Sequence, residues 1–145
     1  GAYAAVALRA PADADRAPVV RTALAEARAP AGAPGRTLAL DRVTVAPGAE
    51  LALHRHPGTQ ASYVARGTLT YWVVRGAVEV RRGDRRVRRI GAGQHGRIRA
   101  GEWIVERPGT IHHAANRGRR PVVILIASLL RTGAPPSIPV ARPPR

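Results

Sequence analysis

Two histidines one residue apart, His54 and His56, stand in the run Gly48-Ala-Glu-Leu-Ala-Leu-His54-Arg-His56-Pro-Gly-Thr-Gln60. A further histidine, His112, lies well downstream. Side chains two positions apart point the same way only on an extended strand, so the pair predicts a strand that presents both imidazoles to one side. A third imidazole from a distant strand would then close a site for a divalent transition metal, to which neutral imidazole nitrogen is well suited. Glu106, in Trp103-Ile-Val-Glu106-Arg107-Pro108-Gly-Thr-Ile-His112, leads into the same region and is the candidate catalytic acid or base. A carboxyl group in a half-buried cavity can be raised towards neutral pH by desolvation, as proton transfer requires. Its competing role is an ordinary ion pair with one of the many arginines.

Only a strand-rich fold can bring such residues together. From Thr37 onward, short segments rich in Val, Thr, Leu and Ile are cut by Gly and Pro about every ten residues. Strands are predicted near 37–46, 50–56, 60–66, 68–75, 77–82, 85–90, 95–99, 102–107, 111–116 and 121–130. Val19 to Glu26 reads as a short strand or a helical turn. This pattern argues for an all-β sandwich or barrel. The domain plan is an N-terminal arm over 1–35, a β domain over 36–132 and a Pro-rich tail over 133–145, expected to lie extended on the surface or to fray. At 145 residues there is room for one domain with a core. The longest apolar run, Val122 to Leu130, suits a buried strand rather than a membrane span.

The spacing of these residues resembles the two motifs of the cupin superfamily. Gly48, His54, His56, Gln60 and Gly67 fall on the first motif without a gap, with Gln60 where that motif has glutamate. Gly101, Gly109, His112 and Asn116 fall on the second, with Arg107 where proline is usual and Pro108 one place later. The match extends over roughly residues 40 to 130, with 33 residues between Gly67 and Gly101. Asn116 is the only asparagine of the chain, and it occupies the asparagine position of the motif. The resemblance implies a cupin jelly roll with one divalent metal held by His54, His56 and His112, assisted by Gln60. Iron is the first expectation, with zinc, manganese, nickel or copper as alternatives. It also implies a homodimer, for which the N-terminal arm is a candidate exchange strand. His113, next to the ligand, should face the other way, and His95 is expected at the surface.

An amide at position 60 changes the electrostatics that the family pattern sets. Three histidines and a carboxylate leave a divalent ion at a net +1, whereas neutral ligands leave it at +2 and favour an anionic partner. The function expected is therefore that of a metalloenzyme acting on a small organic anion, a dioxygenase-like oxidoreductase. The alternatives are a non-redox cyclase, isomerase or lyase in which the metal is a Lewis acid and Glu106 moves the proton, and a non-catalytic binding module.

Composition narrows the partners. All 24 basic residues are arginine, and the formal net charge is +15. Arg81, Arg82, Arg85, Arg86, Arg88 and Arg89 crowd one predicted hairpin around Gly83-Asp84. With few aromatics and no nucleic-acid motif, they read as a solvated edge that discourages strand pairing rather than as a specific nucleic-acid surface. The positive field would steer small anions inward. With no cysteine there are neither disulfides nor thiolate ligands. The chain begins at Gly1 with neither methionine nor a charged, apolar leader, as expected where a tag or signal segment has been removed, and either a cytoplasmic or a secreted location fits.

Overall fold

In a computed structural model, residues 18–142 are described. Twelve strands form two antiparallel sheets: β1 (Val19–Arg28), β2 (Arg36–Val45), β3 (Glu50–Arg55), β4 (Thr59–Arg66), β5 (Thr68–Arg75), β6 (Ala77–Arg82), β7 (Arg85–Gly91), β8 (His95–Arg99), β9 (Trp103–Glu106), β10 (Ile111–Ala115), β11 (Val122–Arg131) and β12 (Ile138–Pro139). One sheet runs β1-β2-β11-β4-β9-β6-β7 and the other β12-β3-β10-β5-β8. This is an all-β fold as the alternating, turn-cut sequence predicts, in the double-sheet jelly-roll form that the motif resemblance implies.

Alternation builds the core. On β11, Val122, Ile124, Ile126, Ser128 and Leu130 are buried while the residues between them face outward. On β4, Gln60, Ser62 and Val64 turn inward and Tyr63 outward, where it is 43% exposed. The inward residues of both sheets, among them Val43, Val45, Val64, Leu69, Val73, Ile98 and Ile104, meet in one apolar cluster. Burial of such side chains contributes about 1.5–3 kcal/mol each.

Two motif glycines act through backbone shape. Gly67 turns β4 into β5 at φ 74°, and a Cβ there would lie 2.9 Å from the Pro121 carbonyl oxygen. Gly101 has φ 88° and is packed against the Arg82 guanidinium. Only glycine takes both conditions without strain. Asn116 is also structural: its Nδ2 donates to the carbonyls of Val45 (2.9 Å) and Arg120 (2.7 Å), and its Oδ1 accepts from Gly118 N (3.0 Å). The substitution at Arg107 leaves an ordinary turn, in which Thr110 N donates to Arg107 O (3.0 Å) with Pro108 in the second position.

Three elements take a more definite form than the sequence gives them. Val19–Arg28 is a ten-residue strand paired along β2 of the same chain, with an irregularity between Ala23 and Ala25. Residues 1–17 of the expected N-terminal arm lie outside the described residues. The Pro-rich tail is ordered enough to pair, Ile138 with Arg55 and Pro139 with His54, which an edge position permits because proline has no N–H to give. The arginine hairpin is β6–β7, with β7 on the sheet edge, yet Arg88 is not simply solvated. Its guanidinium grips the buried Glu102 with both terminal nitrogens, Nη2 lying 3.1 Å from Oε1. Arg82 adds a longer contact to Glu102 at 3.6 Å.

Candidate metal centre

The strands converge on one end of the inter-sheet space. β3 and β10 are neighbours, and His54 lies directly opposite His112 in their register. His56 stands one residue past the end of β3. The imidazole nitrogens of His54, His56 and His112 all come within 4.8 Å of one another. His56 and His112 are buried, and His54 is partly so.

Hydrogen bonds fix which nitrogen each ring offers. His54 Nδ1 lies 2.6 Å from Ala52 O, and His56 Nδ1 lies 2.8 Å from Pro136 O. A carbonyl only accepts, so each Nδ1 carries the proton and each Nε2 is left with its lone pair, the form that binds metal. His112 has no such carbonyl, and its Nδ1 is without a partner. Its ring is held instead by Tyr71, stacked on it at 5.1 Å between centroids.

Glu106 enters from the other sheet. It is the last residue of β9 and pairs across the ladder with Gln60 on β4, so the two side chains project side by side. Its Oε2 lies 2.6 Å from His112 Nε2 and 3.5 Å from His56 Nε2. Tyr71 donates its hydroxyl to Oε2 (2.9 Å), while Ser62 Oγ (2.8 Å) and Gln60 Nε2 (3.2 Å) donate to Oε1. Burial by itself raises the Glu106 pKa, but the hydrogen bond from His112 and the closeness of the His56 ring override it and hold the carboxyl well below the usual 4.5. The Tyr71 phenol is pushed well above 10, first by burial and then by the Glu106 charge. Burial, followed by the proximity of His112, lowers His54 from 6.5 to about 4.

These residues close one end of a cavity of about 310 Å³. Its walls are apolar, with Val43, Leu51, Leu69, Ile98, Ile104 and Ile126 among them, and Glu106 is the only acid among its described lining residues. Arg21, paired with Asp41 at 2.8 Å, also lines it. The sequence-predicted residues His54, His56, Gln60, Glu106 and His112 are thus all brought to one cavity. His113 and His95 are not: both stack on Trp72 outside it, at 4.8 Å and 5.9 Å. Sequence reasoning missed Ser62, Tyr71 and Pro136. The available signal was Tyr71 on the inward parity of β5, since a buried phenol needs an acceptor.

The donor set fits a divalent ion. Ligands about 2.0–2.1 Å from such an ion stand roughly 2.8–3.4 Å apart at adjacent octahedral or tetrahedral angles. His56 Nε2 and His112 Nε2 are 3.3 Å apart, the spacing of two ligands on one ion.

Acid should weaken the metal-free protein in two stages. His54 stays neutral in the fold down to about pH 4 but takes up its proton near 6.5 when unfolded, so the unfolded chain binds more protons between those values. That penalty is absent above 6.5 and grows as pH falls to about 4. Glu106 contributes stability that is fully present above 4.5 and is lost as pH falls through its depressed value. Thermal midpoints of the metal-free chain should therefore fall from pH 6.5 downward. His54→Gln should flatten the upper stage and leave the lower one, and an unchanged profile would contradict the assignment.

A family model for the cupin domain matches residues 41–85. Among solved structures, a cupin 2 domain-containing protein from Halorhodospira halophila superposes with a TM-score of 0.55 at 21% identity, over 85% of this chain and 71% of that one. An RmlC-like cupin from Shewanella frigidimarina gives 0.54 at 18% identity, over 80% and 79%. A variant of Bacillus subtilis oxalate decarboxylase gives 0.51 at 22% identity over 71% of this chain, which spans only 24% of that longer one. No curated protein matches the sequence. The fold is that of a small single cupin domain, and the family match falls on the stretch that carries His54, His56 and Gln60. Within that domain the buried three-histidine cluster has the form of a metal site.

Proposed function

We propose that the protein is a metal-dependent enzyme in which His54, His56 and His112 hold one divalent transition metal, iron first, and that it acts as a dioxygenase-like oxidoreductase on a small organic anion. The observation that carries this reading is the convergence of three imidazoles, two with their Nδ1 protons given to carbonyls, at the end of an apolar cavity. Such an ion would supply a site for oxygen donors and, if redox-active, one-electron chemistry.

The chain's own residues define the rest. The aliphatic walls exclude water and take the apolar body of a substrate, turning its oxygen end towards the histidines. Arg21 and the surplus of positive charge favour an anion on that path. Glu106 is engaged by Ser62, Gln60, Tyr71 and His112, and so is poorly placed to take and return a substrate proton. That weighs against the alternative, a Lewis-acid cyclase, isomerase or lyase with Glu106 as its general base.

The test is elemental mass spectrometry of the purified chain, followed by oxygen-electrode assays of the iron-reconstituted protein with enolic, catecholic and carboxylic anions. Near-stoichiometric redox metal with anion-dependent oxygen uptake is expected. Stoichiometric zinc with oxygen-independent turnover would replace this reading with the Lewis-acid one. Failure to hold any metal after reloading would reduce the protein to a cupin-shaped binding module.

A further inference from the structure

The position that carries the acid in the first cupin motif is Gln60, yet a carboxylate reaches the cluster from elsewhere. Gln60 and Glu106 are a directly opposed pair on β4 and β9, and both are buried. Moving one position across the ladder therefore displaces the carboxylate sideways without withdrawing it from the cavity. Glu106 Oε2 already touches the two nitrogens that face each other, His112 Nε2 at 2.6 Å and His56 Nε2 at 3.5 Å. A cation set between those nitrogens has that oxygen beside it. The 2.6 Å contact is a hydrogen bond, and opening it to the roughly 2.8–3.4 Å of two ligands on one ion needs only a small side-chain shift.

The amide is turned the other way. Beside a carboxylate it must present N–H rather than oxygen, because two acceptors would repel, and Gln60 Nε2 accordingly lies 3.2 Å from Glu106 Oε1. An NH₂ group has no lone pair to give a metal. The Gln60 oxygen is buried without a partner. Ser62 and Tyr71 hold the carboxylate from two further directions, so its place is fixed by three donors on two sheets.

We propose that Glu106, reaching across from β9, is the anionic ligand of the metal, and that Gln60 is a positioning residue that donates to it. The proposal rests on the metal reading above. It makes the site three imidazoles and one carboxylate, a net +1 with a divalent ion, and not the all-neutral site that Gln60 suggests when read by itself.

Cobalt(II) tests this, because its visible bands respond to the number and kind of ligands. The full chain, Glu106→Gln and Gln60→Leu would each be titrated with Co²⁺ and followed by absorption and calorimetry. Glu106→Gln should shift the bands and lose more affinity than the roughly 10–100-fold expected when a group merely orients a ligand. Gln60→Leu, which keeps the carboxylate, should leave the band positions in place. Unchanged bands in Glu106→Gln, at any affinity, would overturn the proposal, as would bands that shift in Gln60→Leu to a lower ligand count. Should Glu106→Gln fail to fold, Gln60→Leu alone decides by the same criterion. A parent chain that binds no Co²⁺ would overturn the metal reading itself, a result distinct from either failure.

Discussion

His112→Ala should purify with less than a tenth of the metal held by the parent chain and, once stripped of metal, should be less stable by about 3 kcal/mol. The first effect follows from losing one of three converging imidazoles. The second arises from the contact of the same Nε2 with Glu106. His112 is 1% exposed and is the nearest partner of Glu106, which is itself 4% exposed. Removing one member of a buried pair leaves the other uncompensated, a loss of about 3–5 kcal/mol, and the lower end applies because His56 stays 3.5 Å away. Urea unfolding of the metal-free proteins separates this term from stabilisation by the ion. Adding Glu106→Gln to His112→Ala should restore part of the stability, since the stranded charge is gone. Full metal content in the single variant, or no loss of stability, would contradict the geometry described.

Deleting residues 133–145 should weaken metal binding roughly 10–100-fold while both sheets persist. The tail supplies the Pro136 carbonyl that accepts from His56 Nδ1 at 2.8 Å, and without it that ring loses the bond that sets its tautomer and angle. The tail also covers β3, through Ile138 and Pro139 and through Val140 N donating to Leu53 O at 3.0 Å. The cut falls after Thr132, so the bond from Thr132 N to Gly35 O remains. Because the contribution is a backbone carbonyl, Pro136→Ala should bind metal nearly as the parent does. Competition with a calibrated chelator measures both. Equal affinity in the truncated chain would show that His56 is oriented without the tail.

What could be read from the sequence was what local periodicity determines. The His-x-His pair needs only a strand to align it, and an all-β fold needs only alternation and turns, so both were legible, while the jelly roll itself came from the resemblance of the motifs. His113 could be set aside because strand parity turns it outward, where it meets Trp72. Relations across strands were not legible. That Glu106 lies against Gln60 is a fact of register between β4 and β9, which no window of neighbouring residues encodes. Glu102 and Arg88 meet in the same way, 14 residues apart. The Ala- and Arg-rich stretch of β1 has no strong strand propensity, and pairing along β2 decides its conformation. The docking of the Pro-rich tail depends on an open edge beside β3 that only the finished sheet provides.

The distances along the chain between partners carry a kinetic consequence. His56 meets His112 across 56 residues and Pro136 across 80. Joining such remote segments is entropically costly and comes late in folding, after local hairpins such as β6–β7 have closed. A chain made from its N-terminal side cannot assemble the complete cluster until the segment that carries Pro136 is free. An ion captured there therefore has little to nucleate. Its binding energy falls on the native side of the folding barrier, where it slows the escape from the folded state and leaves the rate of reaching it almost unchanged.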